Sequence, residues 1–392
     1  MDFTLPETAV AVREGVRAVA AKYDHGYWSR CEDEHRFPWE AWKDLADGGW
    51  LGLCVPEEYG GGGQGLLELA IACETLAASG GTAGVFLYIL TPGFGAMTLT
   101  RHGSEQQKLE LLPGVADGST QFCMALTEPD AGSNAIEIST MAHRDGDDFL
   151  VRGQKIWISG VENADWMLAI TRTIPAAEAR PRTNGFTLLL VDVKEAVAAG
   201  TLQYTPIPKL GGNIVTSSQV FFDDVRVPSS RVLGEVDRGF EVLWDVLNPE
   251  RILAAAGGVG TAEAALDLAV GYARERTVFG RPIGANQAIQ FPLAQIRAKT
   301  ELARLMTYKA AWLFDQGLPC GAETSYAKLT GAQVGWEAAN QAFQTFGGMA
   351  YSKEYPVERL FRDARIAKSI PIAEELVLAH IGTQVLGLPR SY

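Results

Sequence analysis

Two short runs hold the densest concentration of groups able to bind a ligand. The first, Ala125-Leu126-Thr127-Glu128-Pro129-Asp130-Ala131-Gly132-Ser133-Asn134, leaves an expected strand as a turn rich in hydroxyls and exposed backbone donors. Taken alone, Pro-Asp-x-Gly-Ser is ordinary turn chemistry. The second, Gly153-Gln154-Lys155-Ile156-Trp157-Ile158-Ser159, reads as a strand whose alternation puts Trp157 and Ser159 on one face, Ile156 and Ile158 on the other. An indole beside a hydroxyl can wall a flat heterocycle and offer it a hydrogen bond, and the same pattern serves a sheet face packed on another layer. A third run, Asn248-Pro249-Glu250-Arg251, reads as a helix start, with Asn248 as N-cap, Pro249 at N1 and Glu250 as a first-turn acid that favours the helix dipole. The histidines form no His-x-x-x-His, and Cys31, Cys54, Cys73, Cys123 and Cys320 form no Cys-x-x-Cys. Neither a metal centre nor a disulfide framework is expected.

The elements that must position these runs change period twice. Glu7–Tyr23, Trp39–Gly48 and Leu66–Ala78 place apolar residues at helical spacing, interrupted by the glycine run 60–63. After Pro113 come short β-rich runs, Gln121–Thr127, Phe149–Gly153, Lys155–Ser159, Trp166–Thr171 and Phe186–Val191, separated by Gly, Asp, Asn and Pro. That pattern predicts antiparallel sheet. From Gly239 the helical period returns over Ile252–Arg276, Ala288–Gln316, Thr324–Phe346 and Glu374–Leu386, which predicts a four-helix bundle. The chain is therefore expected to be α+β and multidomain: an all-α N-terminal domain over 1–117, a middle antiparallel β-domain over 118–234 and a C-terminal α-helical bundle over 235–392. No Gly-x-Gly-x-x-Gly opens a helix after a strand, so a dinucleotide would need a site other than a Rossmann crevice.

The 392 residues carry 34 Lys and Arg against 47 Asp and Glu, a net charge of −13. Such a field repels phosphate, which argues against nucleic acid or an anionic membrane as partner. Apolar stretches such as Gly84–Leu90 are too short to span a bilayer, and the start lacks a basic patch followed by an apolar run. With odd, scattered cysteines, the expected compartment is a reducing cytoplasm.

The Thr-Glu-Pro-x-Ala-Gly-Ser and Gly-Gln-Lys-x-Trp-Ile-Ser runs resemble the two flavin-binding signatures of the acyl-CoA dehydrogenase family. Further blocks agree in order and spacing: Arg274-Glu275-Arg276-Thr277-Val278-Phe279-Gly280, Asn286-Gln287-Ala288, Gln344-Thr345-Phe346-Gly347-Gly348 and Arg362-Asp363-Ala364-Arg365. The resemblance covers nearly the whole chain. It implies FAD bound between the subunits of a homotetramer, a dimer of dimers. Phe122, Met124, Leu126 and Thr127 would line the isoalloxazine, Gly132 and Ser133 would meet the pyrophosphate, and Trp157, Ile158 and Ser159 would cover the ring. Arg276, Val278, Phe279, Ile283, Asn286, Gln287, Gln344, Thr345, Gly347 and Gly348 would reach the neighbouring subunit's FAD. The planar fork of Arg276 suits a pyrophosphate. Ser133, Phe86, Leu90, Asn248 and Arg251 would touch the acyl-CoA substrate, and electron-transferring flavoprotein would reoxidise the flavin. The implied reaction removes an α proton to a carboxylate and a β hydride to flavin N5, giving a trans-2-enoyl-CoA.

In many members the carboxylate lies in a Tyr-Glu-Gly-Thr loop shortly after the Arg-Asp-Ala-Lys/Arg block. Counted from Asp363, those positions are Ile370, Pro371, Ile372 and Ala373, so the loop glutamate is missing. A minority, including isovaleryl-CoA and long-chain enzymes, places the glutamate before an arginine at the start of an earlier helix. Glu250-Arg251 occupies that place, which makes Glu250 the expected base and Arg251 a group that could orient it. The residues Val85–Thr91, with Phe86, Tyr88 and Leu90, offer no cation to recognise a second carboxylate on the substrate. Two other readings stay open: an oxygen-using oxidase or monooxygenase on the same fold, and a non-catalytic subunit of a heteromeric dehydrogenase.

Overall fold

The computed structural model describes residues 4–390, so the expected domain limits at 1 and 392 lie outside the described residues. The chain opens with seven helices: α1 (Glu7–Ala20), α2 (His25–Asp33), α3 (Trp39–Asp47), α4 (Leu66–Ala78), α5 (Val85–Tyr88), α6 (Met97–His102) and α7 (Glu105–Ala116). Between α5 and α6 the helix widens to a π-form over Ile89–Ala96, with Pro92 inside it. Asp24 caps α2 by accepting from the Tyr27 N–H, and Ser104 with Gln107 forms a capping box at α7. These two helices escape a reading based on long apolar stripes because they are short and polar.

The middle of the chain forms β1 (Phe122–Ala125), β2 (Met141–Asp145), β3 (Asp148–Ser159), β4 (Trp166–Arg172), β5 (Phe186–Asp192), a short α8 (Val193–Ala198), β6 (Leu202–Pro206), β7 (Ser217–Pro228) and β8 (Val232–Leu233). One sheet runs in the order β6-β7-β3-β2-β4-β5-β8, with β1 beside β4. It is mixed, not purely antiparallel: β1 and β2 both pair with β4 in parallel. The two runs expected as separate strands, 149–153 and 155–159, are one strand with register shifts against β7 at Val151/Gly153 and Lys155/Ile158. The second shift breaks the expected alternation, because Trp157 takes a left-handed φ of 64°. Lys155 and Ile158 both turn inward while the Trp157 indole stays outside.

The last block comprises α9 (Gly239–Glu275), a two-residue hairpin of β9 (Thr277–Val278) and β10 (Arg281–Pro282), α10 (Gln287–Asp315), α11 (Gly321–Phe346), α12 (Val357–Arg365) and α13 (Glu374–His380). The fourth long helix expected over Glu374–Leu386 is a short α-helix continued by a π-turn over Ile381–Val385. Helix α9 begins nine residues before Asn248 and holds Pro249 in its interior, which corrects the expectation of a helix start there. It is also long and apolar enough to cross a bilayer by length and composition, contrary to the sequence reading, but 78% of its apolar window is buried inside the chain. Its packing requires glycine. A Cβ on Gly258 would lie 2.3 Å from the Gly331 carbonyl oxygen, and one on Gly331 would lie 2.7 Å from that of Ala255, so α9 and α11 touch backbone to backbone.

Two buried charge clusters stand out, and the first ties the blocks together. Asp363 accepts from Thr82 Oγ1 (2.7 Å), the Gly212 N–H (2.9 Å) and Arg359 (3.3 Å), while Glu32 accepts from Asn213 and Arg362. The second cluster lies in the sheet, where Lys155 Nζ donates to Glu128 (2.9 Å) and to the Leu126 carbonyl (2.9 Å). Glu128 also accepts from the Ser139 N–H and hydroxyl and the Thr140 N–H. Burial pushes the Glu128 carboxyl up, but Lys155 and these donors outweigh it and hold it at about 2.

This asymmetry predicts two different costs. Glu128→Ala strands Lys155 in the core and should cost about 3–5 kcal/mol in chemical denaturation. Lys155→Met leaves the carboxylate with its three other donors and should cost clearly less.

Candidate active site

The cleft nearest the chemistry opens where the three blocks meet. Its walls are Thr82, Ala83, Val85, Phe86 and Ile89 from the first block, Gly212 from the middle, and Glu250, Ala254, Gly257, Thr261, Gly335, Asp363, Ile370 and Pro371 from the last. The cavity within it measures about 80 Å³ and is partly open to solvent. Glu250, Ala254, Gly257 and Thr261 recur on one face of α9, which at 1.5 Å per residue makes a wall about 16 Å long. Glu250 is therefore about three turns inside α9, beyond the reach of the dipole at its N-terminus, and the reading of Glu250 as a first-turn acid falls. Desolvation pushes its carboxyl up to about 8, against the pull of Arg251 and Lys328. Pro371, at the place of the missing loop glutamate, lines the same cleft.

The expected substrate residues divide. Phe86 lines the cleft with Val85 and Ile89, which is helical spacing; Tyr88 and Leu90, expected in the same pocket segment, turn into the core. Leu90 lies against Gly160, one residue beyond Ser159. Asn248 caps nothing, and its amide points to Cys320 Sγ at 4.0 Å. Arg251 is largely buried beside Glu250 and lies near enough to His380 to lower it, after burial. Ser133 sits in an exposed turn outside the cleft wall.

Lys328 is a functional candidate that sequence reasoning missed. Its ammonium is buried, donates to the Ala367 carbonyl at 2.8 Å, and is lowered to about 8 by desolvation, with Glu374, Arg251 and Glu250 as charged neighbours. The available signal was a lysine beside Ala327, Gly331 and Gly335, on the small-residue stripe of a helix. Arg172 was missed too. It is fully buried and gives its donors to the carbonyls of Ile136, Ile138, Ile174, Arg182 and Asn184, which fixes the chain just after Ser133.

The expected flavin residues form two groups. In the first, the turn 126–133 is pinned to β3 by Lys155 and by the Ile156 N–H on the Thr127 carbonyl. Met124, Leu126 and Thr127 are partly exposed there, Gly132 and Ser133 are exposed, and the Trp157 indole is 54% exposed. Ser159 Oγ lies 2.9 Å from Ser217 Oγ. Phe122 and Ile158, in contrast, have core side chains, and the Phe122 N–H is taken by Thr91. The second group gathers at one end of the bundle, where Tyr272 stacks on Phe346 at 4.1 Å and the Ile283 N–H donates to the Arg276 carbonyl. Arg276, Gln287, Gln344, Gly347 and Gly348 are exposed there, Val278 partly so, and Phe279 at the hairpin tip is 100% exposed with a left-handed φ of 54°. Asn286 is engaged within its own turn by Arg281 and Ile283. Thr345 is buried, with its hydroxyl on the Gln341 carbonyl. No hydrogen bond, ion pair or ring contact among the described residues joins the two groups.

These residues fit a large planar cofactor with a diphosphate tail. An indole held outward by a strained backbone offers a ring face, Ser159 a hydroxyl, and the Gly132-Ser133 turn free backbone donors. A Cβ on Gly347 or Gly348 would meet nothing within 4 Å, so the chain there is open to close approach.

Three family models cover the chain: the acyl-CoA dehydrogenase N-terminal domain over residues 6–119, the middle domain over 123–225 and the C-terminal domain over 237–384. The chain is 39% identical over 392 residues to acyl-CoA dehydrogenase FadE12 of Mycobacterium tuberculosis, covering 100% of this chain and 99% of that protein. A glutaryl-coenzyme A dehydrogenase in complex with glutaryl-CoA superposes with a TM-score of 0.94 at 32% identity, covering 100% and 98% of the two chains. The FAD complex of PigA superposes with a TM-score of 0.90 at 25% identity, covering 99% and 100%. The chain belongs to the acyl-CoA dehydrogenase family, whose members are FAD-binding oxidoreductases.

Proposed function

We propose that this enzyme oxidises an acyl-CoA thioester to the trans-2-enoyl-CoA with Glu250 as the base, in the manner of the subgroup that carries its glutamate on the earlier helix. The single observation that carries this reading is the recessed Glu250 carboxyl on the wall of the one cleft that also holds the vacated loop position, Pro371. Bound FAD supplies the acceptor for the β hydride. Every other requirement falls on the chain. Glu250 Oε takes the α proton, and its raised basicity follows from desolvation. Arg251 and Lys328 oppose that rise without cancelling it. Apolar Phe86, Ile89, Ala254 and Ile370 exclude water from the acyl chain.

The cleft lining contains the two carboxylates Glu250 and Asp363 and no lysine or arginine, which supports a substrate with an apolar acyl end over a dicarboxylyl-CoA. Trp157, Ser159 and the Gly132-Ser133 turn hold the FAD of their own subunit, and the Arg276 and Gln344–Gly348 group reaches a neighbour's. The exposure of Phe279, and of Tyr351 at 87%, supports burial of that end against another copy in a homotetramer. Because the sequence carries no second cofactor motif, electron-transferring flavoprotein is the proposed acceptor, and the cytoplasm is the proposed compartment.

Glu250→Gln keeps shape and removes the proton acceptor, so anaerobic bleaching of the flavin by acyl-CoA should slow by at least roughly 10²- to 10⁴-fold at unchanged FAD content. Glu374→Gln and Glu375→Gln should bleach at nearly the parent rate; the reverse pattern would return the base to the C-terminal segment. Because the base must be ionised, kcat/KM should rise about tenfold per pH unit towards pH about 8 and level off above it. A flat profile between pH 6 and 9, in roughly that window, would contradict the raised carboxyl.

Arg276→Lys removes the planar fork and should weaken FAD retention during gel filtration while leaving acyl-CoA selectivity unchanged. Undiminished FAD content in this variant would make Arg276 a surface charge.

A further inference from the structure

The hydroxyl pair at the end of β3 has a direction, and a lysine sets it. Lys209 Nζ carries three protons and donates to the Gly212 carbonyl at 2.9 Å, the Val215 carbonyl at 2.7 Å and Ser217 Oγ at 3.2 Å. All three donors are used, so Ser217 accepts from the ammonium. Ser217 is buried, and its own proton needs an acceptor; Ser159 Oγ stands at 2.9 Å. Were Ser159 the donor, the Ser217 proton would be buried without a partner. The flanking hydroxyls of Thr216 and Ser218 show that this wiring is not general along β7: both are buried without a partner. The proton of Ser159 is thereby left over, on a half-buried residue at the end of the strand that also exposes Trp157.

We propose that Lys209 is a positioning residue for the cofactor contact, acting through Ser217 to make the Ser159 hydroxyl an obligate donor to the edge of the bound flavin ring. A cation at the head of a hydrogen-bond chain polarises each bond after it, so the terminal hydroxyl donates more strongly than an isolated serine. The backbone supports the same alignment, because Ser159 and Ser217 are register partners in the β3–β7 ladder. Lys209 also folds the 207–216 connection onto itself through the Gly212 and Val215 carbonyls, which gives it a separable structural role. The proposal rests on the reading that Ser159 touches the flavin.

The test compares the holoenzyme with Ser159→Ala, Ser217→Ala, Lys209→Met and the double variant Lys209→Met/Ser159→Ala. The readouts are the visible absorption maximum and the reduction potential of the bound flavin, with thermal stability recorded separately. Ser159→Ala should shift the band and make the potential more negative, because a donor that draws electron density from the ring is lost. Lys209→Met and Ser217→Ala should shift both in the same direction by less, and Lys209→Met should add no further shift in the Ser159→Ala background. If Ser159→Ala moves the flavin and the other two leave it as in the parent, or if the Lys209→Met shift persists undiminished in the double variant, the relay is wrong. If Ser159→Ala moves neither readout, the assignment of Ser159 to the flavin fails and the relay falls with it. Should Lys209→Met not fold, Ser217→Ala decides, since it keeps both carbonyl tethers.

Discussion

One buried carboxylate, Asp363, holds the three blocks of the chain around a common cleft. It accepts from Thr82 in the N-terminal helices, from the Gly212 backbone in the middle block and from Arg359 on its own helix, so each block contributes a donor. Glu32 repeats the arrangement one layer out, joining α2 to Asn213 and Arg362. Gly211 is needed for this approach, because a Cβ there would lie 2.9 Å from Asp363 Oδ1. A buried charge keeps its partners at fixed distance, since losing any one of them leaves the rest uncompensated. The cleft is thus the space left between three bodies pinned at one point, and its wall residues keep their places because that point does.

On the proposed reading, the same geometry lets the base change position without changing function. Glu250 on α9 and Pro371 after α12 come from segments more than a hundred residues apart, yet both line one cleft. A carboxylate at either place would line the same cleft, so the proposed reaction constrains where the oxygen sits and not which element carries it. The glycine contacts between α9 and α11 bring Gly258 and Gly335 to the wall in place of side chains, Gly257 does the same against Val85, and together they leave room beyond Glu250. Lys328, buried against the Ala367 carbonyl, adds a cation on the side of the vacated loop.

Much of this was legible in the residues. The blocks of helix, strand and helix followed from changes in period, and the turn 126–133 and the strand run 153–159 stand together as the family resemblance implied. What could not be read was parity and depth. The bulge at Trp157 reverses the inward face of β3 midway, because one left-handed residue shifts every side chain after it. Asn248-Pro249 has the form of a helix start, yet tertiary packing carries α9 through it, as proline costs one backbone bond and a buried helix of 37 residues outweighs that cost. Phe86 and Ile89 share a face because the segment is helical, whereas Tyr88 and Leu90 of the same expected pocket segment turn into the core. Burial of Phe122, Ile158 and Thr345 depends on neighbours distant in sequence, which no local pattern reveals.

The account stands on Glu250 as the group that takes the α proton. The most direct measurement is the exchange of that proton with solvent deuterium in an acyl-CoA analogue that cannot lose its β hydride, followed by mass spectrometry with the FAD-loaded enzyme. The parent protein should wash deuterium into the α position, and Glu250→Gln, with equal FAD content and equal binding of the analogue, should not. Exchange at the parent rate in Glu250→Gln would show that another group takes the proton and would contradict the account.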